Sequence, residues 1–245
     1  MLSVRGLAKR FGDKPVLEGV DFDLARGESL VVIGGSGTGK SVLLRCILGL
    51  ERPDAGTILW QGAPLDGQRA AFMDGFGMLF QHAALFDSMT VWRNVAFRLL
   101  RAMPRARARS IALDKLARVG LGPEIADLYP AELSGGMRKR AALARAIAAD
   151  PRVIFFDEPT TGLDPIRAAT INGLIRGIVD ETGATAITIT HDMSSARAIA
   201  DRVALLDQGR MRWQGTLAQM DAAPDDYLHD FIAGRARPMA RAPQP

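Results

Sequence analysis

The chain has 245 residues, 48% of them hydrophobic, with a formal net charge of +4 at pH 7 and a single cysteine. This length suits one large α/β domain with its own core, and a single cysteine excludes an internal disulfide framework. No segment reaches the roughly 18 apolar residues of a membrane span, and no apolar run follows the basic N-terminal residues. We therefore expect neither a signal peptide nor a membrane anchor, and a chain that is soluble by itself in a reducing cytoplasm.

Short apolar runs alternate with longer helical patterns, which predicts an α/β fold with a mostly parallel sheet core. The runs SLVVIGG, GMLFQ, RVIFFDE, ATAITITH and RVALLDQG are the predicted strands, and SVLLRCILGL, PIRAATINGLIRGIVDET and MSSARAIADR the predicted helices. Residues 1–30 and GTILWQG alternate apolar and polar residues, so we expect antiparallel strands that flank the main sheet. Cys46 lies in an apolar helical pattern, which indicates a buried thiol.

Only helical patterns, TVWRNVAFRLLRAM and ARSIALDKLARVG, occur between Thr90 and Leu133. We interpret them as a helical subdomain of approximately residues 88–150, inserted into a single domain of residues 1–233. The tail, residues 234–245, is basic and proline-rich, so we expect disorder or docking on a partner. The helical patterns also carry a basic stretch that could face anionic lipid headgroups or nucleic acid, or form a solvated surface. Against one acidic residue, Asp114, its basic residues are Arg93, Arg98, Arg101, Arg105, Arg107, Arg109, Lys115 and Arg118.

The segment GGSGTGKS follows a predicted strand and precedes a predicted helix, which is the context of a G-x-x-x-x-G-K-S phosphate-binding loop. Its glycines let backbone N–H groups point at phosphate, Lys40 reaches the terminal phosphates and Ser41 supplies a magnesium ligand. The loop therefore predicts a bound nucleoside triphosphate. Its residues are Gly34, Gly35, Ser36, Gly37, Thr38, Gly39, Lys40 and Ser41.

Polar side chains follow several of the other strands. After RVIFF, Asp157 can hold magnesium while Glu158 addresses an attacking water. His191 ends another strand, at the sheet edge where ligands bind, and can hydrogen-bond a terminal phosphate. Gln81 lies between a strand and the helical patterns, where it could approach magnesium and pass movement to them. Phe11 offers a flat face to a base, although an isolated Phe is more often a core residue.

The segment LSGGM places a hydroxyl and two glycines, Ser134, Gly135 and Gly136, at the start of a predicted basic helix. Such a helix start is a second place suited to phosphate. Asp164 directly precedes Pro165, which predicts that it caps the following helix.

The order GGSGTGKS, Gln81, LSGGM, VIFFDEP, TGLDP and His191 resembles the ATP-binding-cassette (ABC) ATPases from residue 2 to about residue 220. The resemblance implies a P-loop NTPase fold of ABC type, with ATP and Mg²⁺ as cofactors. It also implies a second copy of the chain, paired head to tail. Ser134, Gly135 and Gly136 would then bind the γ-phosphate of the ATP that the partner holds.

The same resemblance implies roles for the strand-end residues. Glu158 would polarise water, His191 would contact the γ-phosphate and Gln81 would sense it, while Asp164 would lie near the twofold axis and link the two sites. The implied magnesium ligands are Ser41, Gln81 and Asp157.

Three positions depart from the common family pattern. Met137 stands where Gln is common, which loses an amide but keeps the atoms that meet phosphate. Phe11 stands where Tyr is common, which keeps the aromatic face. Val42 stands where Thr is common, without an evident chemical cost.

Within the family, GGSGTGKSVLL, MLFQHAALFDSMTVWRNVAF and LSGGMRKRAALARAIA look most like the ATPases of the maintenance-of-lipid-asymmetry (Mla) transporters. This implies an integral membrane permease, a mammalian-cell-entry (MCE) domain subunit, phospholipid as the transported substrate, and a peripheral position on the cytoplasmic face of the bacterial inner membrane. The alternatives are the motor of another ABC transporter, or a regulatory ABC ATPase acting on a non-transporting membrane partner. Nucleic acid is disfavoured as a partner, because the chain has one cassette and no heptad run.

Overall fold

The strands of the chain fall into two sheets, in a computed structural model that describes residues 1–235. They are β1 (Leu2–Phe11), β2 (Lys14–Leu24), β3 (Ser29–Ile33), β4 (Ala55–Trp60), β5 (Ala63–Pro64), β6 (Phe76–Leu79), β7 (Val153–Asp157), β8 (Thr185–Thr190), β9 (Arg202–Asp207) and β10 (Arg210–Thr216). An antiparallel sheet has the order β2-β1-β4-β5. The larger sheet has the order β10-β9-β3-β8-β7-β6, and every neighbouring pair except β10 and β9 is parallel. This arrangement confirms the predicted fold class.

The helices cover the larger sheet and the segments between its strands. They are α1 (Lys40–Leu48), α2 (Arg69–Asp74), α3 (Val91–Val95), α4 (Arg105–Arg118), α5 (Gly135–Ile147), α6 (Pro165–Thr182), α7 (Met193–Ile199), α8 (Leu217–Asp221) and α9 (Asp226–Ile232). Short 3₁₀ turns occupy Leu65–Gln68, Leu99–Arg101, Pro123–Ile125 and Pro130–Glu132. None of the helices within residues 1–235 is both long and apolar enough to cross a bilayer.

The pattern TVWRNVAFRLLRAM forms a shorter helix than the sequence predicted. The helix α3 ends at Val95, and the amide of Phe97 then donates to the carbonyl oxygen of Asn94, three residues back, at 3.3 Å. The next residue, Arg98, donates to the backbone carbonyl oxygens of Met73, Asp74 and Phe76. Side-chain contacts with the beginning of β6 thus replace a continuous helix here.

Buried side chains alternate between the two faces of the larger sheet. On β7, Val153 and Phe155 belong to a cluster that packs against the antiparallel sheet and α1. Ile154 and Phe156 belong to a second cluster, which packs against the helices of the opposite face. Burial of the strands on both faces accounts for the continuous apolar runs in the sequence. The carboxyl ends of the parallel strands lie along one edge of the sheet.

The cluster beside the antiparallel sheet also contains Cys46. Its thiol is buried, as predicted, and burial raises its pKa to about 11. At neutral pH the thiol is therefore protonated and behaves as a small apolar side chain.

Candidate functional site

The predicted phosphate-binding loop connects β3 to α1 and lies close against neighbouring backbone. A Cβ added to Gly34 would lie 2.3 Å from the carbonyl oxygen of Leu206, and one added to Gly39 would lie 2.7 Å from that of Val16. Gly37 has open space around it but a φ of +78°, a conformation that side chains disfavour. Close approach to backbone thus requires glycine at positions 34 and 39, and a positive φ favours it at position 37 and, at +106°, also at position 39.

The ammonium group of Lys40 points into this loop. Lys40 is only 8% exposed, and its Nζ donates to the carbonyl oxygens of Gly34 and Gly35, both at 2.7 Å. Burial lowers the pKa of Lys40, and the neighbouring acids Glu158 and Asp157 oppose that shift. A desolvated cation enclosed by turned glycine backbone is a fitting receptor for the terminal phosphates of a nucleotide.

Two adjacent carboxylates lie at the carboxyl end of β7, Asp157 as its last residue and Glu158 directly after it, and their surroundings differ. Burial and the charge of Glu158 raise the pKa of Asp157. An oxygen of Glu158 accepts hydrogen bonds from the hydroxyls of Thr161 and Thr190, at 3.1 and 3.4 Å. The other oxygen lies 2.9 Å from Nδ1 of His191. The structure therefore brings Glu158 and His191 together, with the carboxylate held at both oxygens.

The backbone of Glu158 is in the left-handed region, with a φ of +48°. A residue with a side chain seldom adopts this conformation, so it is a local source of strain.

Gln81 comes two residues after β6, half-buried, and its carbonyl oxygen accepts a hydrogen bond from Nζ of Lys139 at 2.5 Å. Two of the predicted magnesium ligands, Gln81 and Asp157, thus lie at the carboxyl ends of neighbouring strands, because β6 pairs with β7. The third, Ser41, is in the first turn of α1, beside Lys40. Magnesium suits this set, since it usually takes one or two carboxylates together with phosphate oxygens.

Ser134 is the N-cap of α5, and its Oγ accepts a hydrogen bond from the amide of Met137 at 3.3 Å. Ser134 and Gly135 are exposed, and a Cβ added to Gly135 would meet nothing within 4 Å. Leu133, by contrast, is buried and anchors the segment. Within the described residues, the open start of this helix makes no hydrogen bond to the phosphate-binding loop.

Asp164 caps α6, as predicted, and its Oδ1 accepts from the amide of Arg167 at 3.0 Å. Phe11, at the end of β1, is 46% exposed, and Nζ of Lys9 lies 5.2 Å from the centre of its ring. Phe11 is therefore not a core residue, and its ring is accessible to a ligand.

A family model described as ABC transporter matches residues 17–161 of this chain. The chain belongs to the ABC transporter family. Among similar proteins are the methionine import ATP-binding protein MetN of Mesorhizobium japonicum, 40% identical over 96% of this chain, and the probable ribonucleotide transport ATP-binding protein mkl of Mycobacterium leprae, 39% identical over 96%. The sulfate/thiosulfate import ATP-binding protein CysA of Caulobacter vibrioides is 40% identical over 96%. These matches cover 66%, 69% and 70% of the three relatives.

Solved cassettes share the fold of this ABC protein. The dimeric post-hydrolysis structure of the cassette MJ0796, bound to ADP and Pi, is 29% identical with a TM-score of 0.80, and the match covers 89% of this chain and 99% of that one. The cassette cbiO1 from Clostridium perfringens is 30% identical with a TM-score of 0.82, covering 91% of this chain and 90% of that one. The chain is accordingly an ATPase that uses ATP and Mg²⁺.

The sequence did not single out Lys139, a buried cation of α5 in this ABC cassette. Lys139 shares a helix face with Ala142, Leu143 and Ala146, three, four and seven residues further on, all of them buried. The sequence signal for a buried lysine was its position on the apolar face of a predicted helix.

Most of the basic stretch makes contacts inside the described part of the chain. Lys115 is buried and pairs with Asp150 at 2.6 Å, and Arg109 pairs with Asp127 at 2.6 Å. Arg98 binds backbone carbonyls, as described above, and Arg118 lies near Asp114 and Glu181. Arg93 and Arg105 lie 5.9 and 5.3 Å from the centre of the Trp92 ring, and Arg101 lies 5.5 Å from that of Phe97.

Proposed function

We propose that this cassette hydrolyses ATP as a head-to-tail homodimer, with two ATP sites at the interface. The observation that carries this proposal is the exposed start of α5, where Ser134 and Gly135 present a phosphate-binding helix end that their own chain does not cover. The dimeric structure of the similar cassette MJ0796 supports the same arrangement. Asp164, at the start of α6, would lie near the twofold axis.

Each site would take its main parts from one chain. The loop around Lys40 would hold the triphosphate, which supplies the bond that is broken, and Ser41, Asp157 and Gln81 would hold Mg²⁺. Glu158 would orient the attacking water, since the hydroxyls and the imidazole around its carboxylate fix the direction of its oxygens. His191 would contact the γ-phosphate, and Phe11 would stack on the base.

An apolar groove supports docking of a membrane permease beside this site. The groove has a volume of about 570 Å³, and the rings of Phe86 and Phe97 in its wall are 4.8 Å apart. Phe80 and Phe86 are 40% and 43% exposed, which is unusual for large apolar side chains. Because Phe80 directly precedes Gln81, a permease segment in the groove would lie one residue from the proposed magnesium ligand.

We further propose that residues 1–233 form one cassette domain, with the helical subdomain of approximately residues 88–150 inserted. The cassette would lie on the cytoplasmic face of the bacterial inner membrane. There it would drive phospholipid transport between inner and outer membrane, together with an MCE-domain subunit and without nucleic acid. The resemblance of MLFQHAALFDSMTVWRNVAF to the Mla ATPases supports this substrate. The similar proteins are named for methionine, sulfate and ribonucleotide transport, so the substrate needs a direct test.

That test is gentle purification of the tagged full chain from its native membrane, followed by mass spectrometry of the proteins and lipids that come with it. A multi-span permease with an MCE-type subunit and phospholipid is the expected result. A permease with a solute-binding protein would indicate another transporter. A non-transporting membrane partner, or none, would indicate the regulatory alternative.

The catalytic assignment is tested with Glu158→Gln, which keeps the shape of the side chain and removes its charge. We expect this variant to bind MgATP, to hold the closed dimer and to lose hydrolysis by about 100-fold or more. Steady-state phosphate release and size-exclusion chromatography with MgATP measure both properties. Glu124→Gln, at an exposed position, is the matched control. Hydrolysis at the wild-type rate by Glu158→Gln would show that another group orients the water.

A further inference from the structure

The helix α5, whose start is exposed, also contacts the segments around Gln81 and Glu158 of its own chain. Lys139, in the second turn of α5, donates from Nζ to the carbonyl oxygen of Gln81 at 2.5 Å and to that of Glu158 at 3.3 Å. One ammonium group therefore bridges the backbones of two residues to which we assign catalytic roles.

This ammonium group is enclosed. Lys139 is only 6% exposed, and burial lowers its pKa against the opposing charges of Glu158 and Asp157. A buried cation is stable only when it is paired or hydrogen-bonded, and these carbonyls are the acceptors it has. Its contacts thus fix the distance from α5 to both catalytic segments.

A second cation of α5 holds the residues that follow Gln81. The guanidinium of Arg145 donates to the carbonyl oxygens of Ala83 and Ala84, at 2.9 and 2.6 Å. Both alanines are in the left-handed region, with φ of +63° and +50°. Such backbone persists only where surrounding contacts determine it, and here α5 supplies those contacts.

We propose that Lys139 is a positioning residue that fixes Gln81 and Glu158 of its own chain relative to α5. Contact of the exposed helix start with the partner's nucleotide would then align the water-orienting and magnesium-binding groups of the chain's own site. This inference rests on the proposed two-chain site. It assigns Lys139 to the hydrolytic step and not to the binding of ATP, since neither acceptor of its ammonium group belongs to the phosphate-binding loop.

The first experiment compares Lys139→Met with Lys115→Met in the full-length protein. Lys115 is also a buried lysine of a helix next to α5, but its partner is the carboxylate of Asp150. For Lys139→Met we expect an ATP dissociation constant within about twofold of wild type and a kcat lower by about 10- to 100-fold. The cooperativity of hydrolysis with respect to ATP should fall as well. Lys115→Met should keep kcat and cooperativity, even where its Tm falls.

Two further measurements separate positioning from folding. Hydrogen exchange at the amides of residues 82–84 and 158–161 should be faster in Lys139→Met than in wild type, and unchanged in Lys115→Met. Lys139→Arg keeps donors at this position and should recover part of kcat. A wild-type kcat in Lys139→Met, the same loss in Lys115→Met, or unchanged exchange would overturn the proposal.

Heterodimers with Glu158→Gln test whether Lys139 acts on its own chain. If it does, both substitutions in one chain leave the other site intact, and activity should equal that of a dimer with Glu158→Gln alone in one chain. One substitution in each chain should lower activity by a further 10-fold or more. The reverse order would show that Lys139 serves the helix end offered to the partner, and equal activity would show that it does not act specifically on its own chain; either result would overturn the proposal. A homodimer of Glu158→Gln with wild-type activity would instead refute the proposed catalytic assignment itself.

Discussion

The two segments predicted to bind phosphate, residues 34–41 and 133–137, are built in opposite ways. In the first, glycine backbone lies against neighbouring strands and Lys40 is buried in the loop. In the second, Leu133 is buried while Ser134 and Gly135 stay open. The first segment is enclosed by its own chain, whereas the second is open, and we propose that the partner's nucleotide covers it. The difference predicts that substitutions in the first abolish binding, and that substitutions in the second spare binding and abolish turnover.

The largest effect is expected from Lys40→Ala. The loop would lose its charge-assisted donor to the terminal phosphates, so the affinity for ATP should fall by about 100-fold. Fluorescence titration with a labelled nucleotide measures this loss in the wild type and the variant. Lys14→Ala, at an exposed position on β2, is the control and should keep its affinity. Near-wild-type binding by Lys40→Ala would mean that the backbone of the loop suffices.

A smaller effect, confined to turnover, is expected from Gly135→Val. The added side chain has open space in its own chain, so folding and nucleotide binding should be retained. In the dimer it would occupy the place of the partner's phosphate, and hydrolysis should fall by about 10- to 100-fold. Gly177→Val, also at a helical glycine with open space, is the matched control for the phosphate-release assay. Full activity in Gly135→Val would contradict closure of residues 133–137 on the partner's nucleotide.

The smallest effect is expected from Phe11→Ala. Loss of one stacking face should weaken ATP binding by about threefold to tenfold. Competition by inorganic tripolyphosphate, which has no base to stack, should be unchanged. Phe11→Tyr should bind ATP as wild type does. If Phe11→Ala weakens both ligands equally, the ring supports the fold of the loop rather than the base.

Local sequence patterns predicted the α/β fold with a mostly parallel sheet, the phosphate-binding loop and the helix cap at Asp164, because each depends on residues that are neighbours along the chain. The contacts of Lys139 and Arg145 were not predictable in this way. Their acceptors are backbone carbonyls 19 to 62 residues away, and a carbonyl carries no sequence signal. The intrachain contacts of the basic stretch were also not predictable from neighbouring residues, since the partners of Lys115 and Arg98 lie 35 and 22 to 25 residues away.

At Glu158, the left-handed backbone lowers the stability of the fold, while the side chain is needed for the proposed activity. Glycine would adopt the same φ without strain, which is worth about 1 kcal/mol to the folded state. It would also remove the carboxylate that we assign to the attacking water. A search for heat-resistant variants that measures only folding would therefore favour glycine at position 158, which we expect to be inactive. Such a search needs ATP turnover as a second criterion.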